Sequence, residues 1–154
     1  MSTWTHVAAI VRFDGLRLPG MPDPTPKLGQ TATYDDEPAA WDACDVPCGS
    51  EGSLQYQLWT NPNPTSLAAY TAMIWGDLRD YEDVDEIEAY LGRITAGAMI
   101  RQGVAEISIE GRDPVVLLHD GGKWSICEAF RSRVEALEEL VANIYNRRDS
   151  DVGR

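Results

Sequence analysis

Six of the nine prolines in this chain fall between residues 15 and 52, at positions 19, 22, 24, 26, 38 and 47. Gly20, Gly29, Gly49 and Gly52 stand among them. Proline has no N–H to give a helix interior or a central strand, and glycine loses the most entropy when the chain is ordered. Residues 15–52 are therefore closed to long regular elements, and the fold must be built from what flanks them. Two small pieces fit inside: a short strand near Gln30–Tyr34, and one helical turn from Glu37 to Cys44 with Pro38 at a first helical position. A compact domain rarely carries so long a connection without a use. It is either a binding loop laid over a sheet or an insertion that is disordered or merely covers one.

The flanking sequence reads mostly as strands. Residues 5–13 are apolar on both alternate sets, as in a central strand covered on both faces, and Asp14-Gly15 ends them. Residues 53–60 alternate instead, with Leu54, Tyr56 and Leu58 on one face and Gln55, Gln57 and Trp59 on the other. Asn61-Pro62-Asn63-Pro64 turns the chain into a second strand over 67–76, so the two form a hairpin. Asp83 and Glu86 have capping-box spacing, and Val84, Ile87, Leu91 and Ile94 follow at helical spacing up to Gly97. A helix over 83–96 follows, with Asp85, Glu86 and Glu88 facing outward.

Further strands are expected at 100–110, at Val115–Leu118 and, after the hairpin signal Asp120-Gly121-Gly122, at Lys123–Cys127. Phe130, Val134, Leu137, Val141 and Ile144 form the apolar stripe of a last helix over 129–147, followed by a polar tail at 148–154. The fold class is α+β: one domain over 1–147, a mainly antiparallel sheet with two helices packed on one face, for which a ferredoxin-like arrangement is one candidate.

Composition narrows the function. A length of 154 residues suits one domain with its own core. A net charge of −12 opposes direct contact with nucleic acid or an anionic membrane and favours basic partners, or mimicry of nucleic acid itself. The start Met1–His6 lacks the charge pattern of a secretory leader, and no apolar run approaches membrane-spanning length, so a cytoplasmic protein is expected. Cys44, Cys48 and Cys127 are too few and odd in number for a disulfide framework. The C-x3-C pair fills only half of a tetrahedral zinc site, so no metal and no cofactor is expected. Eleven Arg stand against two Lys, which fits planar anion contacts and equally a GC-rich codon bias.

No P-loop, dinucleotide fingerprint, H-E-x-x-H or G-x-S-x-G occurs. His6 and His119 sit at strand ends, where two histidines can converge as an acid–base pair, but no H-x-[ST] context accompanies them. No catalytic residue is assigned. The candidate ligand-binding residues are Arg12, Trp59, Trp75, Asp77, Arg79 and Tyr81. Arg12 interrupts an apolar strand, so it pairs with an acid or faces a polar pocket that Trp59 can wall. Gly76 permits close backbone approach, and Arg79 can fork onto a phosphate or carboxylate. Trp75 and Tyr81 can stack on a flat ring, and Asp77 can take a hydroxyl, a cation or a basic side chain. The competing account is a tight strand-to-helix turn in which Arg79 pairs with Asp77 or Asp80.

Two segments carry a resemblance: Cys48-Gly49-Ser50-Glu51-Gly52-Ser53-Leu54-Gln55-Tyr56, and Ser66–Thr71 running to Gly76-Asp77-Leu78-Arg79-Asp80-Tyr81. They are similar to small uncharacterised proteins of tailed bacteriophages, over about the middle third of the chain. The resemblance implies a phage-type context in the bacterial host cytosol, where such small acidic proteins often counter host defences. It implies no activity and no site residue.

Four functions are therefore in competition. The first is a non-catalytic binding protein, expected as a homo-oligomer, that captures a small anionic, nucleotide-like ligand. The second is an acidic inhibitor of a host protein or a nucleic-acid mimic, resting on the charge and on the runs 35–37 and 82–88. The third is a virion assembly subunit. The fourth is a metal-dependent hydrolase using Asp77 and Asp80, which lacks a further ligand at recognisable spacing.

Overall fold

The computed structural model describes residues 2–61, 66–120 and 122–127. Ten elements run in order: β1 (Trp4–Leu16), α1 (Pro38–Asp42), β2 (Cys48–Gly49), β3 (Gly52–Ser53), β4 (Gln55–Thr60), β5 (Leu67–Arg79), α2 (Val84–Thr95), β6 (Met99–Ile109), β7 (Val115–Asp120) and β8 (Lys123–Ile126). Six strands form one antiparallel sheet in the order β4-β5-β1-β6-β7-β8, and β2 and β3 make a separate two-stranded piece. The α+β class with an antiparallel sheet is thus observed. Because β5 and β6 both run antiparallel to β1, they are parallel to each other, and α2 carries the chain between them across β1.

The elements form where local chemistry favours them. The Asp83 side chain accepts the Glu86 N–H at 2.9 Å and starts α2, which buries Ile87, Tyr90, Leu91 and Thr95. No helix among the described residues is long and apolar enough to cross a membrane. α1 is the expected turn, with Pro38 in its first helical positions and no buried residue. The strand expected near Gln30–Tyr34 is reduced to a single bridge from Thr33 to Gly52, and the Ala32 N–H donates to the Ser53 side chain instead of a strand ladder. The strand expected over 67–76 continues to Arg79, because β1 offers it partners as far as Trp4. The helix over 129–147, the tail at 148–154 and positions 62–64 of the Asn61-Pro62-Asn63-Pro64 turn lie outside the described residues.

The two faces of the sheet differ. Thr5, Val7, Ala9, Val11 and Phe13 of β1 point into the core, with Tyr70, Ala72, Ile74 and Leu78 of β5 and Ala105 and Ile107 of β6. α2 and the proline-rich segment cover this closed face. Three tyrosine hydroxyls pin the segment down. Tyr90 donates to the Leu28 carbonyl at 2.9 Å, Tyr56 donates to the Gly29 carbonyl at 2.8 Å, and the Tyr70 hydroxyl accepts from Arg17 at 2.9 Å. Pro24 lies directly on Gly15, where a Cβ would sit 2.5 Å from the proline ring. These contacts make the segment an ordered cover of the closed face.

The even residues of β1 point the other way, and His6, Ala8, Ile10 and Arg12 are exposed. The expectation of a strand covered on both faces fails among the described residues. Small and branched apolar side chains on both sets imitate two-sided burial, but among the described residues only the odd set meets a second layer.

Candidate functional site

The open face is the candidate site, and strand register decides what it presents. Gln57, Met73, Ile10, Val104 and Leu118 stand opposite one another across five adjacent strands. Four of the five are apolar and all are exposed, Ile10 to 48%. The next row toward the Asp77 end runs Gln55–Trp75–Ala8–Glu106–Val116, and Trp75 is 45% exposed. The row on the other side runs Trp59–Thr71–Arg12–Gln102, with Trp59 53% exposed. Isolated exposed apolar side chains are ordinary, but a contiguous set of this kind marks a contact surface. A register shift between Arg12 and Phe13 inserts Arg101 as the extra residue of a bulge, and Arg101 pairs with Asp14 at 2.8 Å.

The end of the face nearest Asp77 is polar. His6 Nδ1 and Asp77 Oδ1 are 2.6 Å apart, in side chains 51% and 69% exposed. Arg79 is tied to Glu51, to Ser2 Oγ at 3.0 Å and to Asp80 at 3.7 Å. The bond to Glu51 raises the Arg79 pKa further. Asp80 closes β5 in the left-handed region at φ 56, accepts a hydrogen bond from Ser50 Oγ at 2.8 Å and donates its own N–H to the Thr3 carbonyl. Gly49 makes this corner possible, because a Cβ there would lie 2.6 Å from the Arg79 carbonyl oxygen. Gly76 plays the part expected of it under Leu54, whose Cα would lie 3.2 Å from an added Cβ.

Four of the six sequence-derived ligand residues, Arg12, Trp59, Trp75 and Asp77, share the open face, but they are spread along it. Arg12 has no ion-pair partner among the described residues, neither the expected acid nor a closed pocket. Arg79 is committed to Glu51 and Ser2. Tyr81 is only 8% exposed, so the stacking role expected of it is not available. Its hydroxyl donates to Glu86 at 2.8 Å, and burial, with that bond second, pushes its pKa far above the phenol range. The N-terminus of α2 is already capped by Asp83.

Asp77, His6 and Ser108 stand in line across β5, β1 and β6, the order of a carboxylate, base and hydroxyl relay. No hydrogen bond joins His6 to Ser108, and β1 is paired on both sides, so its N–H groups are already spent in the ladders. Cys44 and Cys48 lie close enough to interact, and burial, then Cys44, pushes the Cys48 thiol up to about 11. Among the described residues, no three His, Cys, Asp or Glu are grouped to hold a metal.

A cleft of about 560 Å³ opens elsewhere, between the proline-rich segment and the C-terminal end of α2, with Lys27 and Arg93 on its wall. None of the six expected residues lines it. Sequence reasoning also missed the row Met73–Ile10–Val104–Leu118. Its only signal was the alternation of Ala8 and Ile10 with Val7, Ala9 and Val11, which is the same for a strand buried on both faces. Comparisons with protein-family profiles, curated proteins and solved structures found no match for this chain.

Proposed function

We propose that this chain is a non-catalytic binding protein whose working surface is the open face of its sheet, and that its partner there is a protein. The supporting observation is the cross-strand row of exposed Met73, Ile10, Val104 and Leu118, flanked by Trp59 and Trp75. Exposed aromatic and apolar side chains at the centre and charge at the edge are the usual anatomy of a protein interface. Glu51, Asp77, Asp80, Glu106 and Glu110 lie toward one end of it, and with a net charge of −12 they favour a partner with a basic rim. The resemblance to phage proteins supports a partner in the bacterial cytosol, a host protein under inhibition. A virion assembly partner would use the same surface.

The sheet order supports a ferredoxin-like origin: β4-β5-β1-β6 has that family's strand order and directions, with residues 17–47 standing where the first helix would run. In that arrangement both helices would share the closed face, and β7 and β8 extend the sheet beyond it.

Capture of a small anion is supported by one observation, Arg12 unpaired among the described residues and in register with Thr71 and Trp59. Native mass spectrometry of the protein purified from a bacterial host, compared with Ile10→Glu and Arg12→Ala, separates the two. A protein partner or second copy lost in Ile10→Glu and kept in Arg12→Ala is the expected result. A nucleotide-sized anion lost only in Arg12→Ala, or a partner indifferent to Ile10→Glu, would overturn the proposal.

A further inference from the structure

The sheet ends in two edge strands, and they are not alike. We propose that β4 pairs with β4 of a second copy of this chain, antiparallel about a two-fold axis at Leu58, so that two sheets become one. This goes beyond the open-face reading and does not depend on it.

The backbone of β4 has rungs to offer. Asn61 donates its N–H to the Ala69 carbonyl at 3.2 Å, one step beyond the pair Thr60↔Tyr70. Antiparallel ladders bond alternate residues. Gln55, Gln57 and Trp59 therefore bond β5, and Tyr56, Leu58 and Thr60 turn their N–H and C=O groups outward. Leu54 has the same outward sense, and its N–H donates to the Pro47 carbonyl at 2.9 Å. The cover that the chain supplies to its own edge ends there. Among the described residues, no backbone group pairs with the outward groups of Tyr56, Leu58 or Thr60.

Charge selects the occupant. From Gly52 to Gly76 there is no Asp, Glu, Lys, Arg or His, and no other uncharged stretch of the chain is half as long. Edge strands are ordinarily guarded by shortness, a lysine, a proline or a bulge. β8, at the opposite edge, is four residues long and starts with Lys123. β4 has six residues and none of these guards. Two chains of net charge −12 repel wherever their acids meet, and this strip lets them approach without such a meeting. A basic partner gains no attraction from a neutral edge and is drawn to the acidic end of the open face instead.

Register follows from the rungs. With Leu58 opposite its own copy, Tyr56 opposes Thr60, and all three outward residues of each strand are used. A shift of two residues one way opposes Thr60 to Leu54, whose N–H is already spent on Pro47. The same shift the other way opposes Tyr56 to position 62, a proline with no N–H. In the Leu58 register each Trp59, 53% exposed in the single chain, stands opposite Gln57 of the second copy on the open face. The two open faces then run on into one another.

Sedimentation equilibrium and residue-resolved amide exchange of the full chain, at low and high protein concentration, test the edge. A dimer is expected, with the amides of Tyr56, Leu58 and Thr60 gaining protection as concentration rises, and those of Gln57 and Trp59 protected throughout. Thr60→Pro removes an outward N–H without breaking a rung to β5, and should weaken the dimer by about tenfold or more. If that variant fails to fold, Gln57→Glu, which puts like charges beside the axis on exposed side chains, should weaken the dimer in a salt-sensitive way. A chain that stays monomeric at every concentration would overturn the proposal. So would a dimer whose Tyr56, Leu58 and Thr60 amides stay in fast exchange, or protection of those amides that ignores concentration. Ile10→Glu should remove whatever sits on the open face and leave the edge dimer, so each reading can fail without the other.

Discussion

The two faces of one sheet are built from the same strands, often from adjacent residues, and meet different fates. Val11 is fully buried and its neighbour Ile10 is 48% exposed. The closed face is filled by a helix with an apolar stripe and by a proline-rich segment held through tyrosine hydroxyls. The open face has comparable side chains and no second layer among the described residues. Apolar character therefore does not say which face is the core. The covering layer does, and its placement is a tertiary matter.

The largest expected contrast comes from truncating one side chain on each face. Ile74 is 1% exposed on the closed face, and Ile74→Ala should cost about 3 kcal/mol through lost transfer energy and a cavity. Ile10→Ala should cost about 1 kcal/mol or less. Urea denaturation midpoints at constant slope measure both. Equal costs would break the comparison and mean that the open face is as deeply covered as the closed one.

A second contrast uses added volume. Gly103 lies beneath Trp124, and a Cβ there would sit 2.6 Å from the indole and 2.9 Å from His119 Cβ. Trp124 is held in turn by Thr95 and by its edge-on contact with the His119 ring. Gly103→Ala should cost about 2 kcal/mol by overpacking and change the near-ultraviolet circular dichroism of Trp124. Val104→Leu, one residue on and pointing to the open face, should be nearly neutral. A neutral Gly103→Ala would mean that β8 is loosely docked.

Alkaline pH probes the closed side a third way. Burial, aided by Glu86 at Tyr81 and by Cys44 at Cys48, raises both groups above their ordinary values of 10.0 and 9.0, Cys48 to about 11. The unfolded chain releases these protons first, so the folded state binds more of them in the window between. Stability should be complete below about pH 9 and fall as pH rises through 11. Tyr81→Phe should cost about 1 kcal/mol at neutral pH, from the lost bond to Glu86, and should flatten the fall above pH 10. Urea midpoints across that range check it, and an unchanged slope in Tyr81→Phe would locate the sensitivity elsewhere.

Much of the fold was legible because local chemistry and tertiary environment agreed. Asp83 and Glu86 announced α2, the alternation over 53–60 announced a half-buried strand, and Pro38 marked the one helical turn. Legibility failed where two environments share one pattern. Ala8 and Ile10 read as core and are exposed, while Tyr81 read as a platform and is buried. Arg79 read as free for an anion or as paired with Asp77 or Asp80. It does lie 3.7 Å from Asp80, but its main partner is Glu51, twenty-eight residues earlier in the chain, which meets it across the β2–β3 corner. That pairing depends on Gly49 letting the backbones approach, which no local pattern announces.

The smallest effect is expected at the polar end of the open face, where contacts look strongest. The 2.6 Å approach of His6 and Asp77 is short, but both side chains are more than half exposed. Water competes for each, and holding two side chains in one geometry costs entropy, so an exposed pair of this kind contributes less than about 1 kcal/mol. Asp77→Asn keeps the shape and removes the charge. It should shift the urea midpoint by less than Ile10→Ala does, and the shift should vanish in molar salt, where the screening length falls to about 3 Å. A loss above about 2 kcal/mol that survives molar salt would require a dry environment around the pair. The open face would then be sealed at this end, and the contrast between the two faces would hold only for its centre.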